Sequence, residues 1–365
     1  MDRGEQCLAE LVNVDVDSMD PAVAKSLIAL GVRPADQTSN QILVGDGIKD
    51  PANRDMLEGA VRELGSKGWG AVYDRMSVLL CAKNIENITG RVLLQSSPSQ
   101  AYNTDEIVAH ARRYAAEFEK VGISKDRFCI KIPATGPGMC AGPILLKDGI
   151  RTLGTSLFSV PQAIASSQAG CLYISPYFNE VKAHDMTTGL FPNVSDPAVE
   201  HPMAPRMVQM FELYKQLAAK TGKDQPIIKG ASNITAAEVL ACADMGVQHI
   251  TILAPVLKEL CQMKVAPNDA SKIQPKPKRA YFDDKQLSPR MLALMDKDPL
   301  APRPEAFKIA STDVDYLANQ GAKLEEAIAQ DPETGRRLKD ALDLFIGAEK
   351  EAKEAIERVM AELGV

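Results

Sequence analysis

Residues 128–135 read Phe-Cys-Ile-Lys-Ile-Pro-Ala-Thr. The run has the apolar character of a buried strand, yet it carries Lys131 near its centre. Alternate residues of a strand face the same way. Phe128, Ile130 and Ile132 therefore share one face, and Cys129 and Lys131 share the other. Outward from this stretch, short apolar runs alternate with amphipathic ones, the pattern of repeated parallel βαβ units. Strand candidates fall at 11–17, 36–40, 91–95, 128–132, 152–156, 171–176, 226–230 and 249–253, and helical candidates include 53–67, 70–85, 104–121, 138–148, 159–169, 204–221 and 235–245. Eight such units predict an α/β fold of the (β/α)8 TIM-barrel type. A doubly wound open sheet is the structural rival, but no Gly-rich phosphate loop follows the first strand to support it.

The 365 residues suit one large barrel with additions. The expected organisation is a catalytic barrel over 1–264, a Pro- and charge-rich segment over 265–311 that wraps the surface, and C-terminal helices over 312–365 packed on the barrel. In the last of these, Leu338, Leu342, Phe345, Ala348 and Ala352 recur at three- and four-residue intervals and form an apolar stripe. Such a stripe faces a core more often than a partner chain.

Composition narrows the function classes. With 45% apolar residues, 25% charged residues and a net charge of −6, the chain has no general attraction for nucleic acid or an anionic membrane. No run approaches the ~18 apolar residues that span a bilayer, and the N-terminal "MDRGEQCLAELVNVDVD" has no signal-peptide h-region. A cytoplasmic location is expected. Cys7, Cys81, Cys129, Cys140, Cys171, Cys242 and Cys261 show no C-x-x-C spacing and read as reduced thiols. His110, His184, His201 and His249 form no metal-binding spacing, so no metal and no cofactor are expected. A homo-oligomer is compatible with the sequence.

Parity then orders the polar residues. Asn13, Asp15 and Asp17 alternate with Val12, Val14 and Val16, while Gln95, Thr155, Ser175 and Tyr177 take the inward side of their strands or lie just beyond them. Most fall at C-terminal strand ends, where a (β/α)8 barrel carries its active site. A lysine desolvated there has a lowered pKa, and its amine can attack a carbonyl to form a Schiff base. A structural ion pair with Asp17 or Asp15 would equally explain a buried lysine.

The segments "IKIPAT", "LLKDGI", "SLFSVPQAIASSQAG" and "YISPYFNEV" resemble the transaldolase family of class I aldolases. Looser matches are "DVDSMD", "DQTSNQIL", "DPAV" and "GASNI". The resemblance covers nearly the whole chain. It implies a (β/α)8 enzyme whose Lys131 forms a Schiff base with a ketose donor, cleaves its C3–C4 bond and holds a dihydroxyacetone unit as an enamine. It further implies that Asp17 shuttles protons, that Asn40 and Ser175 bind the donor, and that Thr155 helps hold the catalytic water. By themselves, Asp17 could cap a helix, Asn40 could serve a turn, and Thr155 and Ser175 could be small core residues.

Four positions depart from the family pattern. Gln95 replaces a glutamate that activates the water and can orient water without taking its proton. Tyr177 replaces a phenylalanine. Together these two resemble fructose 6-phosphate aldolases and shift the expectation toward aldolase over transferase. Leu153 replaces an asparagine beside the Schiff base. Glu180 replaces a phosphate-binding arginine, and after Ser232 in "GASNI" the second arginine is missing. A carboxylate in a phosphate pocket is repulsive, so sugar phosphates are expected to bind poorly, Glu180→Arg to improve their binding, and Lys182 or Lys229 to be the residues that could rebuild the site. The expected partner is a small carbonyl or sugar substrate. The alternative is a catalytically silent relative kept as a binding or scaffold protein.

Overall fold

The computed structural model describes residues 12–263 and 286–365. Eight strands, β1 (Asn13–Asp17), β2 (Gln37–Thr38), β3 (Val92–Gln95), β4 (Phe128–Pro133), β5 (Thr152–Leu157), β6 (Tyr173–Pro176), β7 (Ile227–Gly230) and β8 (His249–Leu253), form a closed barrel in chain order. All pairs are parallel, and β1 closes on β8. Helices cover the outside, as right-handed parallel crossovers require. Each expected strand has its counterpart. β2 is shorter than expected because Asn40 leaves the strand to cap the helix Gln41–Lys49, accepting from the N–H groups of Ile42 and Leu43. That helix, with Pro21–Ala29 and Ala254–Gln262, was not among the expected ones. The N-terminal residues of the barrel, with Cys7, and the 265–285 part of the wrapping segment lie outside the described residues. Cys81, Cys129, Cys140, Cys171 and Cys242 are free thiols.

Strand parity sets two layers inside the barrel. Leu93, Cys129, Leu153 and Tyr173, from four successive strands, form one apolar cluster. Beside it lies a charged cluster. Lys229 on β7, with no exposed surface, places its Nζ 2.6 Å from Asp15 Oδ2 and 2.6 Å from Asp36 Oδ2, 2.9 Å from His249 Nδ1, and 4.2 Å from the centre of the Tyr173 ring. Burial alone would lower the lysine's pKa, but the two carboxylates outweigh it and hold the ammonium form. Lys229 therefore rebuilds no phosphate site. Asp15, Asp36 and His249 are grouped closely enough to hold a metal ion, and the Lys229 ammonium already supplies positive charge among them.

The C-terminal chain closes over the barrel. The C-terminal helices expected from 312 begin later, with Ala318–Gln330, because Asp315 Oδ1 accepts from the Leu317 and Ala318 N–H groups and Asn319, Gln320 and Gly321 take left-handed conformations. Gly321, at φ +83°, lies so close to Gly136 that a Cβ would meet its carbonyl carbon at 2.2 Å, so only glycine fits. The helix Pro332–Leu363 follows, packing on the helices Gln41–Lys49, Arg54–Leu64 and Trp69–Ala82. Its stripe of Leu338, Leu342, Phe345 and Ala352 is buried, with Ala348 partly so. Buried Arg206 ties this arrangement together, bonding Asp298 at 2.9 Å, Asp331 at 2.8 Å and the Phe158 carbonyl at 2.8 Å.

Removing one partner of a buried charge cluster leaves the others uncompensated. Lys229→Met should lose about 3–5 kcal/mol of stability in urea unfolding. A loss below about 1 kcal/mol would show that the cluster does not hold β1, β2, β7 and β8 together.

Candidate active site

Lys131 lies in register with Gln95 on β3 and Leu153 on β5, near the C-terminal end of β4. It is 5% exposed. Its Nζ donates to Thr38 Oγ1 at 2.9 Å and to the Ser39 carbonyl at 2.8 Å. Among the described residues, no carboxylate oxygen lies within 4.0 Å of it, so the ion pair with Asp17 or Asp15 is not formed. Asp15 belongs to Lys229 instead. Two donated bonds use both N–H groups of a neutral amine and leave its lone pair free toward the cavity. Desolvation accordingly lowers the Lys131 pKa to about 8; the charge of Asp17 opposes the shift, and that of Lys229 adds to it.

The Lys131 side chain lines a cavity of about 190 Å³ at the barrel mouth, together with Asp17, Thr38, Asn40, Ser175, Tyr177 and Ser232. Asp17 ends β1 and does not cap the following helix; Asp20 does, at 2.9 Å from the Ala22 nitrogen. Oδ1 of Asp17 is enclosed without a hydrogen-bond partner. Burial raises the Asp17 pKa, offset in part by Lys131. Asn40 serves both the helix cap and the cavity wall. Thr155 Oγ1 and Tyr177 Oη lie 3.2 Å apart, and burial pushes the phenol up to about 12. Gln95 is buried, and neither atom of its amide has a protein partner. A polar head left unpaired in such a place is suited to hold a water or a substrate hydroxyl.

Two of the expected substrate contacts are placed differently. Leu153 belongs to the apolar cluster with Leu93, Cys129 and Tyr173 and does not line the cavity. Glu180 does not line it either. Its carboxylate receives both arms of Arg336, at 2.6 and 3.0 Å, and lies 3.6 Å from Arg337. The carboxylate is thus neutralised by the C-terminal helix, and the expected repulsion of a phosphate by Glu180 does not hold. Glu180→Arg would crowd three guanidinium groups together. Lys182 is exposed and bonds Asp340 at 2.8 Å.

The cavity also contains residues that the sequence reading did not single out. Thr38 was within reach, since it has inward parity on β2. His184 was not, because it sits in the irregular chain after β6; its Nε2 is 2.8 Å from Ser232 Oγ. Leu344 and Phe345 reach the mouth from the C-terminal helix. Among the described residues lining the cavity there is no arginine.

A closed parallel barrel with polar groups from several strands gathered around one buried lysine without a carboxylate partner at its C-terminal mouth is the architecture of a barrel enzyme. Comparison with known proteins gives the family. A family model for Transaldolase/Fructose-6-phosphate aldolase matches residues 14–298. Human transaldolase is 32% identical over 237 residues, covering 63% of this chain and 68% of its own. The rat transaldolase is 31% identical over 250 residues, 67% of this chain and 70% of its own, and that of Edwardsiella ictaluri 29% over 264 residues, 70% and 78%. The chain belongs to the transaldolase/fructose-6-phosphate aldolase family and is an enzyme of the transaldolase and aldolase class. No helix among the described residues is long and apolar enough to cross a membrane.

The Lys131 amine should titrate near pH 8, becoming nucleophilic above it. Because the Asp17 charge favours the ammonium, Asp17→Asn should move that midpoint to lower pH. The pH dependence of acetylation at Lys131, read by mass spectrometry, checks both; a midpoint near the ordinary lysine value of ~10.4 would contradict the environment described.

Proposed function

We propose that this enzyme makes or cleaves a carbon–carbon bond by aldol chemistry through a Schiff base at Lys131, on a ketose or dihydroxyacetone donor that carries no phosphate. The observation that supports the chemistry is the buried Lys131 amine, which has two hydrogen-bond acceptors and no ion-pair partner. The neutral amine adds to the donor carbonyl carbon, and the carbinolamine loses water to give an iminium ion. Asp17, whose pKa is raised by burial, takes the proton of the hydroxyl next to the breaking bond. The C3–C4 electron pair flows into the iminium, an aldehyde leaves, and an enamine remains on Lys131. Protonation and hydrolysis then free dihydroxyacetone and the amine, or the enamine adds to an acceptor aldehyde, Asp17 returns its proton to the new alkoxide, and hydrolysis of the resulting iminium frees the new ketose and Lys131.

Gln95 orients the water of these steps but cannot take its proton. The Tyr177 hydroxyl, bonded to Thr155, assists that water, which favours release of free product over transfer. Asn40 and Ser175 hold donor hydroxyls. The reading of an unphosphorylated substrate now rests on the lack of arginine among the described lining residues. It no longer rests on Glu180. A volume of about 190 Å³, below the roughly 300–1,000 Å³ of pockets for drug-sized ligands, suits a short polyol.

Incubation with dihydroxyacetone followed by borohydride should leave a three-carbon adduct on the peptide carrying Lys131, and none in Lys131→Met. Failure to trap an adduct from dihydroxyacetone or a panel of unphosphorylated ketoses would remove the reading. With an adduct in hand, Asp17→Asn should slow turnover by about 10²–10⁴-fold while leaving the lysine able to be trapped.

A further inference from the structure

The barrel order places β2 and β4, which carry Thr38 and Lys131, across the mouth from the residues that follow β6 and β7. On that far side stand His184, after β6, and Ser232, just after β7, with His184 Nε2 and Ser232 Oγ 2.8 Å apart. Ser232 holds φ +62°, a left-handed conformation unusual for a residue other than glycine, and such outliers concentrate at functional positions. Both side chains line the same cavity as Lys131. Val181, Leu253, Leu344 and Phe345 form the apolar part of this wall. Arg336 and Arg337 of the C-terminal helix are committed to Glu180 and Glu333.

We propose that His184 and Ser232 form the subsite that recognises the end of the substrate remote from Lys131, and that this end carries an uncharged hydroxyl. This inference rests on the Lys131 reading above and adds to it the group that sets substrate choice. His184 is exposed at the mouth, and its pKa is lowered by desolvation, so at neutral pH the ring is uncharged; with Nε2 bonded to Ser232, the His184–Ser232 pair together still offers one donor and one acceptor. Such a pair matches a hydroxyl, which also donates and accepts. It gives a phosphate dianion no compensating positive charge, and the apolar wall around it offers none. The Ser232 hydroxyl orients the ring, as a partner on one ring nitrogen fixes the role of the other.

The test compares fructose with fructose 6-phosphate in steady-state cleavage by the wild type, His184→Leu, His184→Arg and Ser232→Gly. Glycine is chosen at 232 because it accepts the positive φ. The wild type should prefer fructose. His184→Leu should raise KM for fructose by about tenfold, the worth of one hydrogen bond to the substrate, with a smaller effect on kcat. Ser232→Gly should raise it in the same direction by less. His184→Arg should reverse the preference toward the phosphate ester. If His184→Leu and Ser232→Gly leave KM for fructose within twofold, or His184→Arg leaves the preference unchanged, the subsite assignment is overturned. If the wild type prefers fructose 6-phosphate, it is likewise overturned. The dihydroxyacetone adduct on the wild type separates this from the parent reading: its absence defeats the Schiff base itself, whereas its presence with an unmoved preference defeats only His184 and Ser232.

Discussion

Charge inside an eight-stranded barrel has to be compensated, and the Lys229 cluster is where this enzyme meets that constraint. One ammonium between two carboxylates and an imidazole joins β1, β7 and β8 to Asp36 at the entrance of β2. With Asp15 and Asp36 both engaged by Lys229, a second lysine of inward parity remains without a carboxylate partner. The two buried lysines therefore have opposite fates. Paired Lys229 is held as an ammonium, while Lys131, with only a hydroxyl and a carbonyl as partners, is pushed toward the amine. The same physics, desolvation against local charge, holds the proton on one lysine and loosens it on the other.

The mouth above Lys131 is finished by chain that is distant in sequence. The helix Pro332–Leu363 delivers Phe345 and Leu344 to the cavity, and its Arg336 and Arg337 hold the carboxylate of Glu180 at the start of the loop that presents His184. The ion pairs thus connect the C-terminal helix to the loop that shapes the far wall. Glu180 receives two arginines from the C-terminal helix and takes no part in the cavity wall.

Much of the fold was legible because parallel barrels impose simple rules. The alternation of 128–135 put Lys131 inward, and the same alternation placed Asp17, Gln95, Ser175 and Tyr177 around the mouth or beneath it. Parity alone could not distinguish depth. Leu153 shares the inward face with Thr155 but lies one layer lower, in the apolar plug, and Lys229 is inward but belongs to the charged cluster. Residues on loops, such as His184, obey no period and so left no signal.

The sequence by itself determined the eight strand positions and the inward parity of Lys131, because these follow from local period and side-chain chemistry, while a reactive amine and a structural ion pair remained equal readings of that lysine. Only the tertiary structure decided which charges meet. Asp15 and Asp36 are 21 residues apart and Lys229 is more than 190 residues from either, yet a single ammonium joins them. Likewise Glu180 finds Arg336 across 156 residues. Pairing of charges depends on distances of a few ångströms between chain segments, and sequence spacing carries no record of those distances until the barrel has closed.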